Sequence, residues 1–163
     1  MSEWTAYSVQ AGLNGNLGAT LRVAPDENAS GIAIVEHTLP SGKLAAPLHR
    51  HSNEDEISFI LEGTMGVQEG ETVTTVEAGE VAVKERGIWH TFWNPDSKPL
   101  RFLEILAPGE FARYFKQSAQ LLEDDELSEE ETIERFRALH NRFDFELDPE
   151  SVPALLDRHD VEQ

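Results

Sequence analysis

The stretch Leu48-His49-Arg50-His51-Ser52-Asn53-Glu54-Asp55-Glu56-Ile57-Ser58-Phe59-Ile60-Leu61-Glu62-Gly63 decides how this chain is read. Side chains of a strand alternate between its faces, so His49 and His51, two positions apart, point to one side and can grip one ion. Glu56 opens the next apolar run, which ends at the turn Glu62-Gly63. An unpaired carboxylate at the mouth of a buried strand costs roughly several kcal/mol before its pKa shifts to neutralise it. A bound metal would supply the missing partner. A fourth ligand, His90, lies in Gly87-Ile88-Trp89-His90-Thr91-Phe92-Trp93-Asn94, a second strand-like segment closed by Asn94-Pro95-Asp96.

Around these segments the chain breaks into short apolar runs near residues 19–23, 31–39, 56–61, 64–68, 72–76, 81–83, 90–93 and 100–106, separated by turns such as Glu69-Gly70 and Ala78-Gly79. That punctuation predicts an antiparallel all-β fold, a jelly-roll barrel, over residues 1–108. Runs that are apolar on both faces, such as residues 57–61, predict strands covered on both sides. A homodimer is therefore expected, since pairing would cover strand edges and outer apolar faces. Past Pro108-Gly109 the period becomes helical. Phe111, Tyr114, Phe115, Ala119 and Leu122 fall on one stripe. Ser128 with Glu131 forms a capping-box pattern ahead of Ile133, Phe136, Leu139 and Phe143. Asp148-Pro149 announces a third helix carrying Val152, Leu155 and Leu156. Residues 109–163 are thus expected as a C-terminal α-helical extension packed on the barrel.

Composition narrows the function. A chain of 163 residues with 39% hydrophobic content supports one domain with a real core. The absence of cysteine removes disulfides, thiolate metal sites and cysteine nucleophiles together. Thirteen Lys and Arg against 31 Asp and Glu give a formal charge of −18, which argues against any phosphate backbone as partner and excludes nucleic acid. The excess reads either as a salt-adapted surface, with lysine confined to Lys43, Lys84, Lys98 and Lys116, or as ordinary solubility charge. The start, Met1-Ser2-Glu3-Trp4-Thr5, lacks a basic segment and an apolar core of signal-peptide length. No run approaches a membrane span, so a soluble, cytoplasmic protein with a small-molecule substrate is expected.

Three neutral imidazoles and one carboxylate leave a divalent ion with a net charge near +1 and, in octahedral coordination, two open positions. Such a site is built for exchange, whereas structural zinc is closed by four tight ligands. One divalent transition metal is expected: iron, manganese, nickel, cobalt, copper or zinc, among which this ligand set does not choose. Strand alternation puts Ser58 and Ile60 on the face of Glu56, and Ile88 and Phe92 on the face of His90, so these four are expected to line a mostly apolar substrate pocket. His37, in an Ile/Val setting, reads as a structural histidine, and His140 and His159 read as surface groups.

Taken together these residues resemble the cupin superfamily. Its first motif is matched by His49, His51, Glu56 and Gly63, with the leading glycine, Gly42, one position farther from the first histidine than usual. Its second is matched by Gly79, Gly87, His90 and Asn94, with Glu85 where the family has proline. The resemblance implies a double-stranded β-helix holding one metal through His49, His51, Glu56 and His90. With the aromatic helix after the motifs, the chain looks like the small bacterial cupins similar to quercetin dioxygenases. That likeness implies oxidative ring opening of a flavonol by dioxygen, with Glu56 as the catalytic base that accepts the substrate's hydroxyl proton. The rival expectations are a non-catalytic cupin that binds a metal or small molecule and a sugar-type isomerase. The isomerase would need a pocket lined by charged groups.

Overall fold

The computed structural model describes residues 4–163, so the start read at Met1-Ser2-Glu3 lies outside the described residues. The strands are β1 (Ser8–Ala11), β2 (Leu17–Val23), β3 (Ala33–Leu39), β4 (Leu48–His51), β5 (Asp55–Glu62), β6 (Thr64–Glu69), β7 (Thr72–Glu77), β8 (Val81–Lys84), β9 (His90–Trp93), β10 (Leu100–Ala107) and β11 (Phe145–Asp148). The helices are α1 (Ala112–Leu122), α2 (Glu129–Arg142) and α3 (Val152–His159). One sheet runs β1-β2-β3-β10-β5-β8 and the other β11-β4-β9-β6-β7. Their strands pair antiparallel throughout. This is the antiparallel jelly-roll barrel that the punctuation predicts, in the double-stranded β-helix form that the resemblance implies.

Alternation builds the interior. Along β10, Leu100, Phe102, Glu104 and Leu106 are buried while Arg101, Leu103 and Ile105 face outward. The inward residues of both sheets, among them Val35, Leu39, Ile60, Met65, Phe92, Phe102 and Leu106, form one continuous core. Each large apolar side chain so buried stabilises the fold by about 1.5–3 kcal/mol relative to exposure. Trp93 lies across from Gly66. A Cβ on Gly66 would sit 2.2 Å from the indole, so only glycine leaves room for that ring. The indole also stacks on His159 at 3.6 Å between centroids.

The outer face of the six-stranded sheet is unusually apolar. Register aligns Val83, Ile57, Ile105 and Ile34 in one row across β8, β5, β10 and β3, and Val81, Phe59 and Leu103 in the next. Val81 and Val83 are half exposed on the edge strand β8.

The extension does more than dock. Ser128 caps α2, its hydroxyl accepting the Glu131 N–H while the Glu131 carboxylate accepts the Ser128 N–H at 2.9 Å. Only the C-terminal half of α2 reaches the barrel, through Leu139 and Phe143, and Ile133 on the expected buried stripe is 54% exposed. After α2 the chain returns as β11, a strand the helical reading did not anticipate. It pairs with β4, setting Phe145 opposite His51 and Leu147 opposite His49. Proline at Pro149 starts a 3-10 turn that leads into α3, where Val152 and Leu155 are buried. Among the described residues no helix is long and apolar enough to cross a membrane.

Candidate metal centre

Two sheets meet at the site. The five-stranded sheet supplies His49 and His51 from β4 and His90 from β9, with His49 and His90 directly paired. The six-stranded sheet supplies Glu56 from β5. All four side chains are buried, and one donor atom from each lies within 4.8 Å of the others.

The ring orientations are set by what holds Nδ1. His49 Nδ1 lies 2.8 Å from the Pro47 carbonyl and His90 Nδ1 3.0 Å from the Ile88 carbonyl. His51 Nδ1 lies 2.6 Å from the Glu54 carboxylate. Each ring therefore donates through Nδ1–H and turns Nε2 inward, the second-layer arrangement that fixes a metal-binding tautomer. His51 Nε2 is buried without a hydrogen-bond partner. It lies 3.3 Å from Glu56 Oε1, close but without hydrogen-bond geometry. A buried nitrogen lone pair aimed at a carboxylate is unfavourable by itself and is satisfied by a cation between them. The donor set therefore fits a divalent transition metal.

Charge around the quartet supports the same reading. Burial alone would raise the Glu56 carboxyl. His51, Lys84 and the close approach of His90 Nε2, 3.1 Å from Glu56 Oε2, outweigh it and hold the group well below the usual carboxylate range. Burial, with His90 and His51 adding to it, lowers His49 well below the ordinary imidazole value and keeps it neutral. Behind Glu56 sits a network that the sequence did not reveal. Lys84, opposite Glu56 in the register, is fully buried, 3.3 Å from Glu56 Oε2 and 2.7 Å from Glu104 Oε1. Burial would lower the Lys84 ammonium, but Glu104 and Glu56 outweigh that and raise it, so it stays charged. Ser58 donates to Glu104 Oε2 at 2.7 Å. A lysine on a short apolar run gives no sign of such a role; only the pairing of β5 with β8 places it there.

The quartet opens into a cavity of about 300 Å³. His49, His51 and Glu56 line its metal end. Phe111, Tyr114, Phe115 and Phe136 from the extension, with Phe145 of β11, wall the other side, and Leu13 and Leu17 close the rim. Phe111 and Phe145 touch the ligands themselves, their rings 4.4 and 4.8 Å from that of His51. No lysine or arginine is among the described lining residues.

Of the four residues expected to line the pocket, Phe92 does so. Ser58 is buried but engaged with Glu104, and Ile60 is packed in the core opposite Phe102. Ile88 is 36% exposed instead, because residues 85–89 form a turn through Gly87 at φ 79° and β9 begins only at His90, so strand alternation does not extend back to it. His140, read as a surface group, lines the cavity and lies 3.1 Å from the Tyr114 hydroxyl. His37 also lines it. At the position where the family has proline, the Glu85 N–H bonds to the Glu69 carboxylate at 3.0 Å, a contact proline would forgo.

The sequence profile of the Cupin domain family matches residues 35–106, a span that holds all four donors. Solved structures share the fold. A predicted oxalate decarboxylase from Thermotoga maritima aligns at a TM-score of 0.55 and 22% identity, over 64% of this chain and 93% of that one. A tryptophan-to-tyrosine variant of oxalate decarboxylase from Bacillus subtilis aligns at 0.52 and 20% identity, over 62% of this chain and 27% of that longer one. An uncharacterized conserved protein with a double-stranded β-helix domain from Klebsiella pneumoniae aligns at 0.51 and 21%, over 60% and 82%. At such identities the likeness is one of fold. No protein of curated function matches the chain.

Proposed function

We propose that this chain, whose residues 35–106 match the Cupin domain family, is a metal-dependent dioxygenase acting on a small aromatic or enolic compound, similar to the quercetin dioxygenase-like cupins. The observation that carries this reading is the cavity: a four-donor cluster at one end, aromatic rings along the walls, and no lysine or arginine among its described lining residues. A dicarboxylate or a sugar phosphate brings charge that such a lining would leave unpaired, whereas a flat hydroxylated ring system fits it.

In this reading His49, His51, His90 and Glu56 hold the ion. A divalent transition metal, when bound, would acidify a coordinated hydroxyl and supply the redox partner for dioxygen. The chain's own contribution is to keep Glu56 ionised through Lys84, so that its carboxylate oxygen can accept the substrate's proton. Phe111, Phe115 and Phe145 stack against the substrate and exclude water. The test is oxygen consumption by metal-loaded and metal-free protein over a panel of flavonols and aromatic diols. Uptake that needs the metal supports the dioxygenase. No uptake with any of the six candidate metals, together with a ligand-induced rise in melting temperature, would assign a non-catalytic binding module instead.

We also propose that a second copy covers the two apolar rows on the outer face of the six-stranded sheet. The molecule carries a formal charge of −18, yet the charges beside those rows balance. Arg22 and Arg101 pair with Glu36 at 2.8 and 3.3 Å, and Arg101 with Glu62 at 3.1 Å. This face is therefore one on which two strongly acidic copies can meet without unpaired like charges in contact. Sedimentation should show a dimer that Phe59→Asp with Val83→Asp converts to a monomer; a monomeric parent protein refutes it.

A further inference from the structure

The inner face of the six-stranded sheet carries a polar diagonal that the metal site does not use up. Glu56 on β5 faces Leu106 of β10, Glu104 lies two residues back along β10, and His37 on β3 faces Phe102, two residues farther. Glu56, Glu104 and His37 therefore occupy successive diagonal positions, each step roughly 7 Å between Cβ atoms. On one side Lys84 and Ser58 adjoin it, and between its members lie Phe102 and Leu106, both fully buried.

His37 is only 1% exposed and lines the cavity. Its Nδ1 lies 2.9 Å from the Gly18 carbonyl, an acceptor that fixes the proton on Nδ1. Nε2 is left as a bare acceptor for whatever enters. The ring cannot turn away, because Phe102 and Phe115 pack on it at 5.1 and 4.8 Å. The neighbouring polar groups of the cavity are already committed. Glu104 takes Lys84 and Ser58, Ser118 donates to the Phe115 carbonyl of its own helix, and Tyr114 is joined to His140.

We propose that His37 Nε2 is a substrate-binding acceptor. It receives a hydroxyl borne on a different ring from the one that carries the metal-binding oxygen, so the ligand is an elongated, multi-ring hydroxyaromatic rather than a single ring. This rests on the dioxygenase-type reading of the cavity and names its substrate class. Burial lowers His37 to about 4, against the opposing bond from Gly18, so the ring is neutral and offers a lone pair at any ordinary working pH.

The test is binding, independent of turnover. Metal-loaded protein is titrated calorimetrically, without oxygen, with 3-hydroxyflavone and with its derivatives that carry one further hydroxyl on another ring. The parent protein should bind at least one derivative roughly three- to tenfold more tightly than 3-hydroxyflavone, the scale of one hydrogen bond. His37→Phe should abolish that preference while metal content stays unchanged, and His37→Gln, which retains an acceptor oxygen, should restore part of it. A preference that survives in a folded His37→Phe overturns the role of His37 and leaves the dioxygenase reading standing. Failure of every flavonol to bind the parent protein overturns the multi-ring ligand and the role of His37 together, and leaves the dioxygenase reading to the aromatic diols.

Discussion

The two ends of the cavity are made by different means. At the metal end, the histidine donors on two short strands of the barrel are oriented by contacts close in sequence: Pro47 holds His49, Glu54 holds His51 and Ile88 holds His90. At the aromatic end the walls come from α1, α2 and β11, and reach the metal end only through tertiary packing of Phe111 and Phe145 on His51. Local geometry can preorganise ligands without the extension, but it leaves the quartet open to water. The extension gives the site an apolar, substrate-sized space.

The sharpest way to break this comparison is to damage each end alone. His49→Ala and His90→Ala should each abolish metal binding, a loss exceeding the roughly 10–100-fold that removal of an outer-layer partner costs. The barrel should stay folded, as elemental analysis and circular dichroism would show. Phe111→Ala should do the opposite, keeping metal stoichiometry while losing about 3–5 kcal/mol of stability, as large aromatic truncations do. Metal lost in Phe111→Ala, or kept in both histidine variants, would show that the two ends are not separable.

A second test lies between the ends, at Lys84. Lys84→Met leaves Glu56 and Glu104 buried without their shared cation, and breaking a buried pair this way costs about 3–5 kcal/mol. Burial pushes Glu104 up to about 7 even with Lys84 beside it. The variant can relieve its penalty by taking up a proton there, so the deficit in urea unfolding should shrink as pH falls from 8 to 6. A deficit that is constant over that range would place the strain elsewhere.

What the sequence discloses follows the same division. The quartet is legible because strand alternation converts a two-residue spacing into a shared face, and because Gly63 and Asn94 mark the turns that end the motifs. Gly63 has φ 83°, and Asn94 bonds the Leu39 and Lys98 carbonyls. Lys84, Glu104 and His37 are silent because their role depends on which strands become neighbours, β5 beside β8 and β10 beside β3. The expectation for Ile88 failed where a turn replaced the strand. His140 was misread because polar residues on a helix are ordinarily solvated, and only the return of β11 under α2 brings it to the cavity. The helices were visible from their caps and stripes; β11, four residues long with a single fully buried side chain, was not.

Acid sharpens the comparison within the barrel. His37 falls from an ordinary 6.5 to about 4, chiefly through burial. The unfolded chain therefore binds a proton there that the folded protein refuses. The group leaves stability unaffected above pH 6.5 and removes it progressively between 6.5 and 4, by up to about 3 kcal/mol. In denaturant unfolding of metal-free protein, His37→Gln should show a shallower decline than the parent across that window. Equal slopes would mean that His37 titrates normally and is open to water.

The smallest effect expected is at the aromatic end. Tyr114→Phe keeps the ring that stacks on Phe111 at 4.8 Å and removes only the hydroxyl 3.1 Å from His140 Nε2. Burial raises the Tyr114 phenol and lowers His140, so the phenol is the donor and the imidazole the acceptor. That exchange should cost about 1 kcal/mol, read as a modest drop in melting temperature at unchanged metal content. A cost near zero, with weakened flavonol binding, would mean that the hydroxyl serves the ligand more than the fold. The polar groups of the extension would then belong to recognition, as His37 does on the barrel side.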